Sequence, residues 1–378
     1  MKIVICPNSF KGALTSLEIS SIIAKEIKKF IPSSEIIKFP IADGGDGTLE
    51  VLKNLIGGKY IKTFAKDPLG REIETKYLKK ESIAYIEMAK ISGLALLKEN
   101  ERNPMETTTY GLGELIKDAI KRKCKKIFIG VGGSATNEGG IGALTALGFK
   151  FIDKNGNILY PGKGRNLISI EKVEYPEEYE NLKKVKFTIL ADVNNPLYGK
   201  NGASFVYGRQ KGATEKMIKI LDDGLRHYAK IIKKYTGIQV NKIKSSGAAG
   251  GIVAGFVSFL SADIVSGIEE ILNLGSFESK IKDANLIITG EGKIDKQTFY
   301  GKGVGIILNY SIKYKIPTVV LAGKIEEEIY KFTNNPYISL FSIVQGPVSL
   351  EESIRKTRKY IKTKIREILK LILSLKKL

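Results

Sequence analysis

The sequence predicts an α/β protein with a flavodoxin-like, doubly wound parallel sheet and an inserted second domain of mixed α/β type. Apolar strand-like runs alternate with amphipathic helices at both ends of the chain, and the alternation breaks in the middle. A chain of 378 residues also exceeds one ordinary core, so two domains are expected. The flavodoxin-like domain is predicted to be discontinuous, over 1–58 and 284–378, with the inserted domain at 59–283.

The N-terminal segment predicts two βα units. The run IVIC at 3–6 predicts a buried strand, and Thr15 with Glu18 has the spacing of a capping box. Isoleucines then recur at helical spacing until Pro32, which ends the helix. EIIKFPI predicts the second strand, and a helix is expected from about Thr48 after the loop ADGGDGT.

The middle of the chain predicts a different pattern. KYIKTFA and EIETKYL, joined by KDPLG, predict an antiparallel hairpin, and IAYIEMA, KIFIGVGG and KFTILAD predict further strands. Helices are expected after the threonines at 107–109 and at about 214–235 and 248–260, whereas 151–185 is polar and irregular.

The βα alternation resumes at DANLIITGEG, followed by the helix GVGIILNYSIKYK and the strands PTVVLAG and YISLFSIV. Strands near residues 3, 36, 286, 318 and 340 fit the flavodoxin-like order 2-1-3-4-5, which opens a crevice between the first and third strands. The segment from Glu351 predicts a basic amphipathic helix. We expect it to cover the sheet; the alternative is a membrane surface.

Composition restricts the class of protein. The net charge of +21 suits either nucleic acid or small anionic substrates, but no nucleic-acid motif is present, so a basic nucleic-acid-binding protein is kept only as the non-enzyme alternative. No apolar run approaches the roughly 20 residues that cross a bilayer, and Pro7 interrupts the N-terminus too early for a signal peptide. We therefore expect a cytoplasmic protein that binds neither membrane nor nucleic acid.

The scarce cysteines and histidine exclude some chemistries. Cys6 and Cys124 are distant in sequence and predict buried residues without a disulfide framework or a metal-binding spacing. The single histidine, His227, falls off the apolar stripe of its helix and is predicted to lie on the surface. The sequence therefore disfavours a Ser-His-Asp triad or a multi-histidine metal site, and we expect acid–base chemistry to use Asp, Glu, Lys or Tyr.

Polar and glycine-rich segments follow four of the predicted parallel strands. Asn8, Ser9 and Lys11 follow the first strand, and the others are followed by 43–48, 289–295 and 322–324. Ligands bind beyond the carboxyl ends of parallel strands. Glycine N–H groups and lysines suit phosphate, and carboxylates suit Mg²⁺, so the set favours phosphoryl transfer. The alternative is that glycines merely end strands and that Asp46 caps the next helix.

The inserted domain has a second glycine-rich stretch, GVGGSATNEGG. Gly132 to Thr136 precede a predicted helix, whose free N–H groups could receive an anion. The stretch is not a Walker A motif, since no Gly-Lys pair in the chain is followed by Ser or Thr. GAAGGIVAG at 247–255 favours tight helix packing, and the alternative is a ligand bound close to its backbone. Asp192 is a second candidate carboxylate, expected to face Asp43 across a cleft between the domains.

The chain resembles the bacterial glycerate kinases of the first type. The segments that carry the resemblance run from residue 7 to about 298 and are, in order, PNSFKGAL, ADGGDGT, MAKISGL, TTYGLGELI, GGSATNEGG, ADVNNPLYGKNGA, GRQKGA, GAAGGIVAG, SGIEEIL and TGEGKIDKQT. The resemblance implies two α/β domains, dependence on ATP and Mg²⁺, and phosphorylation of D-glycerate, usually to 2-phosphoglycerate. A 3-phosphoglycerate product or another small hydroxy acid stays open, and the oligomeric state is not predicted.

Under this hypothesis each candidate residue receives a role. The residues assigned to catalysis are Asp43, Asp192 and Lys11; to substrate binding, Arg71, Asn8, Ser9 and Ser134; to the nucleotide, Gly44, Gly45, Thr48, Gly132, Gly133, Thr289, Gly290 and Gly292; and to Mg²⁺, Glu291 and Asp295. Bidentate geometry favours Arg71 over Lys11 for the glycerate carboxylate. Asp43 or Asp192 would orient or deprotonate the attacking hydroxyl.

Three positions depart from the family pattern. Asn8 stands where the family commonly has Asp, Asp46 where Glu is more usual, and Arg209 where proline is common. If the usual carboxylate at position 8 holds metal or takes a proton, this enzyme would be slower or would use Asp43 instead.

Overall fold

The computed structural model describes residues 1–299, 303–332 and 334–375. Its strands are β1 (Lys2–Ile5), β2 (Glu35–Lys38), β3 (Lys59–Lys66), β4 (Glu72–Lys80), β5 (Ile83–Glu87), β6 (Lys126–Gly130), β7 (Lys150–Ile152), β8 (Lys172–Glu174), β9 (Lys186–Leu190), β10 (Asp263–Val265), β11 (Leu286–Ile294), β12 (Thr318–Ile325) and β13 (Ile338–Ser342). Its α-helices are α1 (Ser16–Phe30), α2 (Thr48–Ile56), α3 (Ala89–Ser92), α4 (Tyr110–Lys121), α5 (Ile141–Ala146), α6 (Tyr179–Lys183), α7 (Ala203–Tyr207), α8 (Glu215–Thr236), α9 (Ala248–Leu260), α10 (Gly267–Leu274), α11 (Phe277–Ile281), α12 (Lys296–Phe299), α13 (Val304–Tyr314) and α14 (Leu350–Leu375).

Contacts within the chain separate two units. The terminal unit comprises Met1–Asp43, Glu50–Ile56 and Ile268–Leu378. The central unit comprises Gly44–Leu49 and Gly57–Gly267.

The terminal unit contains a five-stranded sheet in the order β13-β12-β11-β1-β2, with every neighbouring pair parallel. This is the flavodoxin-like order 2-1-3-4-5, so the predicted fold class is confirmed. Alternate residues of a strand face opposite sides of a sheet. Ile3 and Ile5 accordingly pack in one core with α1 and α14, and Val4 packs in another with α10, α11 and α13.

The basic C-terminal helix α14 covers this sheet, as predicted. Ile361 and Ile365 on its apolar face are fully buried. Arg366 and Arg358 place their guanidinium groups 2.7 and 2.9 Å from the carboxylates of Glu26 and Glu18 on α1. The helix is therefore anchored by an apolar face and by ion pairs at its edge.

The division of contacts differs from the predicted boundary between 283 and 284, because the terminal unit resumes at Ile268. Ile268 and Phe277 share a core with Phe39 and Ile287, and the rings of Phe39 and Phe277 lie 4.9 Å apart. Likewise, 44–49 group with the central unit rather than with β2. Whether each unit is a separately folding domain remains a prediction.

The central unit contains a six-stranded sheet in the order β10-β9-β6-β5-β4-β3. The predicted hairpin of β3 and β4 is antiparallel, as is the pairing of β4 with β5, whereas β5, β6, β9 and β10 run parallel. His227 on α8 is partly exposed, and its Nε2 lies 2.7 Å from the carbonyl of Ile170.

No helix among the described residues is both long and apolar enough to cross a membrane.

Candidate active site

Backbone hydrogen bonds continue the sheet of the terminal unit past the end of β1. The amide of Asn8 donates to the carbonyl of Gly290 at 2.8 Å, and the amide of Ile41 donates to the carbonyl of Pro7 at 3.0 Å. Three chain segments therefore run side by side beyond β1. The first, second and third predicted strand ends meet at this edge.

Glu291 is the ionisable group most affected by this arrangement. The pKa of Glu291 is raised to about 7, mainly by burial and to a smaller extent by the nearby carboxylates of Asp295 and Asp43. The hydroxyl of Thr298, which donates to Oε1 at 2.8 Å, and the charge of Lys11 oppose that shift. Asp43 and Lys11 thus both lie close enough to Glu291 to affect its pKa.

Asn8 lies beside this carboxylate. Its Oδ1 accepts from the amide of Ser9 at 2.8 Å, and Asn8 is only 9% exposed. A Cβ atom built on Gly303 would lie 3.5 Å from Nδ2 of Asn8 and 3.7 Å from Oε2 of Glu291. Gly303, which the sequence analysis did not single out, therefore borders both side chains and has a positive φ of +47°.

The predicted magnesium ligands, Glu291 and Asp295, could supply some but not all of the oxygen atoms that surround Mg²⁺. Among the residues that the structure describes, no group of three or more His, Cys, Asp or Glu side chains has the arrangement of a metal site. Mg²⁺ commonly takes one or two carboxylates and completes its shell with water and substrate phosphates. Glu291 and Asp295 supply such oxygen donors, although Asp295 also lies 3.2 Å from the amine of Lys293.

Two predicted nucleotide-binding residues on β11 have structural roles. The strand continues to Ile294, so Thr289 and Gly290 lie within the sheet rather than in a loop beyond it. The hydroxyl of Thr289 is buried and donates to the carbonyl of Cys6 at 2.8 Å. A Cβ on Gly290 would lie 2.1 Å from the carbonyl oxygen of Leu321.

Gly292 differs from these two residues, since a Cβ there would come no closer to its neighbours than 3.7 Å, to the amide nitrogen of Lys11 and the Cα of Phe10. It is the glycine of TGEG with space beside it.

In the central unit, the glycines of ADGGDGT pack against another backbone segment. The amide of Gly132 donates to the carbonyl of Gly44 at 3.1 Å. A Cβ on Gly132 would lie 2.5 Å from the Cα of Gly45, and a Cβ on Gly130 would lie 2.5 Å from the oxygen of Gly44. Here glycine is needed for the close approach of two loops. Close packing of the two loops can therefore explain why glycine occupies positions 44, 45 and 132, without the predicted nucleotide contacts.

Replacing Gly132 by Ala tests that alternative. The added methyl group must displace backbone, so we expect a loss of about 1–3 kcal/mol in the free energy of unfolding. Gly292→Ala is the matched control and should change the stability by less than about 0.5 kcal/mol. Thermal and denaturant unfolding measure both. Unchanged stability in Gly132→Ala with weakened ATP binding would instead support the predicted nucleotide contact.

Glu87 caps the start of α2, a role that the sequence analysis offered to Asp46. Its Oε1 accepts from the amide of Gly47 at 3.1 Å and its Oε2 from the amide of Leu49 at 3.0 Å. Glu87 is 1% exposed, whereas Asp46 is exposed. Thr48 is buried and donates its hydroxyl to the carbonyl of Gly45 at 2.7 Å. The structure thus assigns the capping role, offered to Asp46 as the alternative to function, to Glu87, and Thr48 stabilises the turn.

The helix that follows GGSATNEGG does not offer the predicted anion site. The amide of Gly142 donates to Oε2 of Glu138, and that of Ala143 donates to the hydroxyl of Thr109, both at 2.9 Å. Burial raises the pKa of Glu138 to about 7. The first amides of α5 are thus bonded within the protein.

The loop before α5 contains a buried amine that the sequence analysis did not assign. The Nζ of Lys211 donates to the hydroxyl oxygen of Ser134 at 2.9 Å and to the carbonyl of Thr136 at 2.7 Å. Lys211 is 2% exposed, and burial lowers its pKa to about 7, against the opposing charge of Glu138. The carbonyl of Gly133 accepts from the amide of Leu94 at 2.8 Å.

Asp192 accepts hydrogen bonds at the start of a helix. Its Oδ1 accepts from the hydroxyl of Ser266 at 2.7 Å and from the amide of Gly267, the first residue of α10, at 3.1 Å. This is the position of a capping carboxylate, which accounts for Asp192 without catalysis.

Arg71, the favoured carboxylate-binding residue, is engaged elsewhere. It follows the turn between β3 and β4, where Nε lies 2.6 Å from Asp67 and one terminal nitrogen lies 2.7 Å from Glu101. These carboxylates raise the pKa of Arg71. The structure favours a structural role for Arg71.

Known proteins resemble the whole chain. The model of the glycerate kinase family matches residues 3–373. A glycerate kinase of Bacillus cereus (strain ATCC 10987 / NRS 248) is 39% identical over 97% of both chains. The glycerate 2-kinase of Escherichia coli (strain K12) is 38% identical over 94% of this chain and 93% of its own. A crystal structure assigned to glycerate kinase 2 of Salmonella typhimurium LT2 matches with a TM-score of 0.84 and 34% identity over 100% of both chains.

A doubly wound sheet with carboxylates and a lysine at its carboxyl edge, together with these full-length relatives, defines an α/β kinase enzyme. The chain belongs to the glycerate kinase family.

Proposed function

We propose that this protein transfers the γ-phosphoryl group of Mg-ATP to the 2-hydroxyl of D-glycerate, giving 2-phosphoglycerate. The observation that carries the proposal is the meeting of Asn8, Asp43, Glu291 and Lys11 at the carboxyl edge of the terminal sheet. The name glycerate 2-kinase of the Escherichia coli relative supports the choice of hydroxyl. The location of the reaction in a cleft between two domains stays a prediction from the sequence.

Asp43 is the group to which we assign orientation or deprotonation of the glycerate hydroxyl. Asn8 is neutral and cannot accept that proton as a carboxylate would. Asp43 lies close enough to Glu291 to affect its pKa, which places a second carboxylate at the same edge. The substitution at position 8 therefore leaves Asp43 as the nearest candidate base.

Lys11 takes the role of anion-binding residue in this proposal, because Arg71 is already paired with two carboxylates. Lys11 is exposed, and its charge acts on Glu291. An exposed amine at the sheet edge can bind the carboxylate of glycerate or a phosphate oxygen. The side-chain amide of Asn8 and the hydroxyl of Ser9 remain candidates for contacts with the same substrate.

Glu291 and Asp295 are the residues that would hold Mg²⁺, with Gly292 leaving space beside them for the nucleotide. When bound, the metal would neutralise charge on the transferring phosphate. The protein would then mainly position the two substrates, which is most of what phosphoryl transfer requires.

An assay with Mg-ATP and D-glycerate, coupled to enolase without phosphoglycerate mutase, tests the proposal. Enolase accepts the 2-phosphate, so a signal equal to the ADP released supports 2-phosphoglycerate as the product. ADP release without an enolase signal would indicate the 3-phosphate. Absence of both would overturn D-glycerate as the substrate and make Asn8 the first position to restore to Asp.

A further inference from the structure

The side chain of Lys211 is buried at a cost to stability. An amine that loses its hydration favours its neutral form, as the lowered pKa of Lys211 shows. A methionine would fill similar space without that cost. The contribution of the amine is therefore to be sought in the two groups that it contacts, Ser134 and Thr136.

The main chain around Ser134 is held by other contacts. The amide of Ala135 donates to the carbonyl of Ser92 at 2.9 Å, and the carbonyl of Gly133 accepts from Leu94 at 2.8 Å. Ser134 itself forms an antiparallel bridge with Gly93. What these bonds leave undetermined is the direction of the Ser134 hydroxyl group.

Lys211 determines that direction. In its protonated form Lys211 can only donate, so the oxygen of Ser134 then accepts from it and the hydroxyl proton must point elsewhere. Ser134 is 7% exposed, compared with 2% for Lys211, so Ser134 is the more accessible of the two residues.

We infer that Lys211 is a positioning residue that directs the Ser134 hydroxyl to donate a hydrogen bond to an anionic oxygen of the substrates. The inference rests on the proposed function and on the role in substrate binding that the sequence predicts for Ser134. Lys211 acts through Ser134 and does not itself touch the reacting atoms. The ligand oxygen belongs to a carboxylate or a phosphate, and both sources are present in the reaction.

A double-mutant cycle tests this inference. Lys211→Met and Ser134→Ala should each lower kcat/KM for one substrate by about 10- to 100-fold, the range for one hydrogen bond to a charged group. The KM of the other substrate should not change. The double variant should be no worse than the poorer single variant, because both remove the same interaction. Lys216→Met, on the exposed side of α8, is the matched control and should retain full activity.

Lys211→Gln keeps a donor without a buried charge and should recover part of the loss. If Lys211→Met does not fold, Lys211→Gln can replace it in the double-mutant cycle. Losses that multiply in the double variant, or a parallel rise of both KM values with lower thermal stability, would overturn the inference in favour of simple loop support.

The same proteins separate failure of this inference from failure of the proposed function. Wild-type protein that does not phosphorylate D-glycerate overturns the proposed function. In that case the double-mutant cycle uses ligand binding instead of turnover. The quantity compared between variants is the rise in melting temperature when Mg-ATP or D-glycerate is added. Non-additive losses of that rise uphold the role of Lys211, whereas additive losses, or no rise in the wild type, overturn it.

Discussion

Replacing Asp43 by Asn should lower kcat by about 10²- to 10⁴-fold, the range associated with loss of a general acid or base. Asn has nearly the same shape, so the change removes the charge and the ability to take a proton while leaving packing intact. Asp43 is partly buried, and its carboxylate acts on Glu291 at the sheet edge. Steady-state kinetics at saturating Mg-ATP and D-glycerate measure the loss, and thermal unfolding should show no change.

Asp192→Asn is the matched variant, because the sequence proposes both aspartates for the same role. An asparagine retains the side-chain carbonyl that accepts from Ser266 and Gly267. We therefore expect less than about a tenfold change in kcat. Asp192→Ala removes the acceptor and should cost about 1 kcal/mol of stability, as loss of a helix cap does. Equal losses of turnover in the two Asn variants would return Asp192 to catalysis.

The order of strands in the terminal unit could be predicted because each strand carries its own signal. β1, β11 and β12 are apolar runs, each followed by glycine or polar residues, and helical patterns separate them. β10 and α10 were missed. β10 has three residues, too few to show a period, and α10 begins where Asp192, distant in sequence, accepts from its first amide.

The domain boundary depends on packing that local pattern does not encode. Nothing in the sequence around Phe277 indicates that its ring meets Phe39. The partner of an apolar helix is chosen by the fold, whereas its apolar face is evident from spacing alone. The sequence therefore predicts where a helix forms more reliably than it predicts which elements the helix packs against.

The sequence predicts the part of the candidate site that follows from strand order and not the part that depends on packing. Topology alone brings Asn8, Asp43 and Glu291 to one edge, so those residues could be found from strand order. A glycine needed for a ligand and a glycine needed for another backbone look alike in sequence. Gly44 and Gly132 belong to the second kind because their loops meet in the fold.

Replacing Glu291 by Gln should reduce kcat/KM by at least about 100-fold and raise the Mg²⁺ concentration that gives half-maximal activity. Gln keeps an oxygen that can accept from Thr298, so the local hydrogen bond at 2.8 Å can persist. What is lost is the negative charge that a cation requires. Activity of the wild type should also fall as the pH drops below about 7, because Glu291 is then protonated. A variant with normal Mg²⁺ dependence would remove Glu291 from the metal site.

The same substitution should stabilise the protein at alkaline pH when Mg²⁺ and nucleotide are absent. The folded protein holds the Glu291 proton up to a pKa of about 7, whereas the unfolded chain releases it near the ordinary value of 4.5. The contribution of Glu291 to stability is therefore complete below pH 4.5 and is lost as the pH rises through 7. Glutamine does not titrate and escapes this loss.

Denaturant unfolding of the wild type and Glu291→Gln, at about pH 4.5 and about pH 8, measures the effect. The variant should gain on the order of 2 kcal/mol relative to the wild type at the higher pH, after allowance for partial solvent exposure, and little at the lower pH. An equal difference at both pH values would show that the carboxylate is not desolvated in the folded protein. A gain in stability alongside a loss of turnover is the result expected when a buried charge serves the reaction at the expense of the fold.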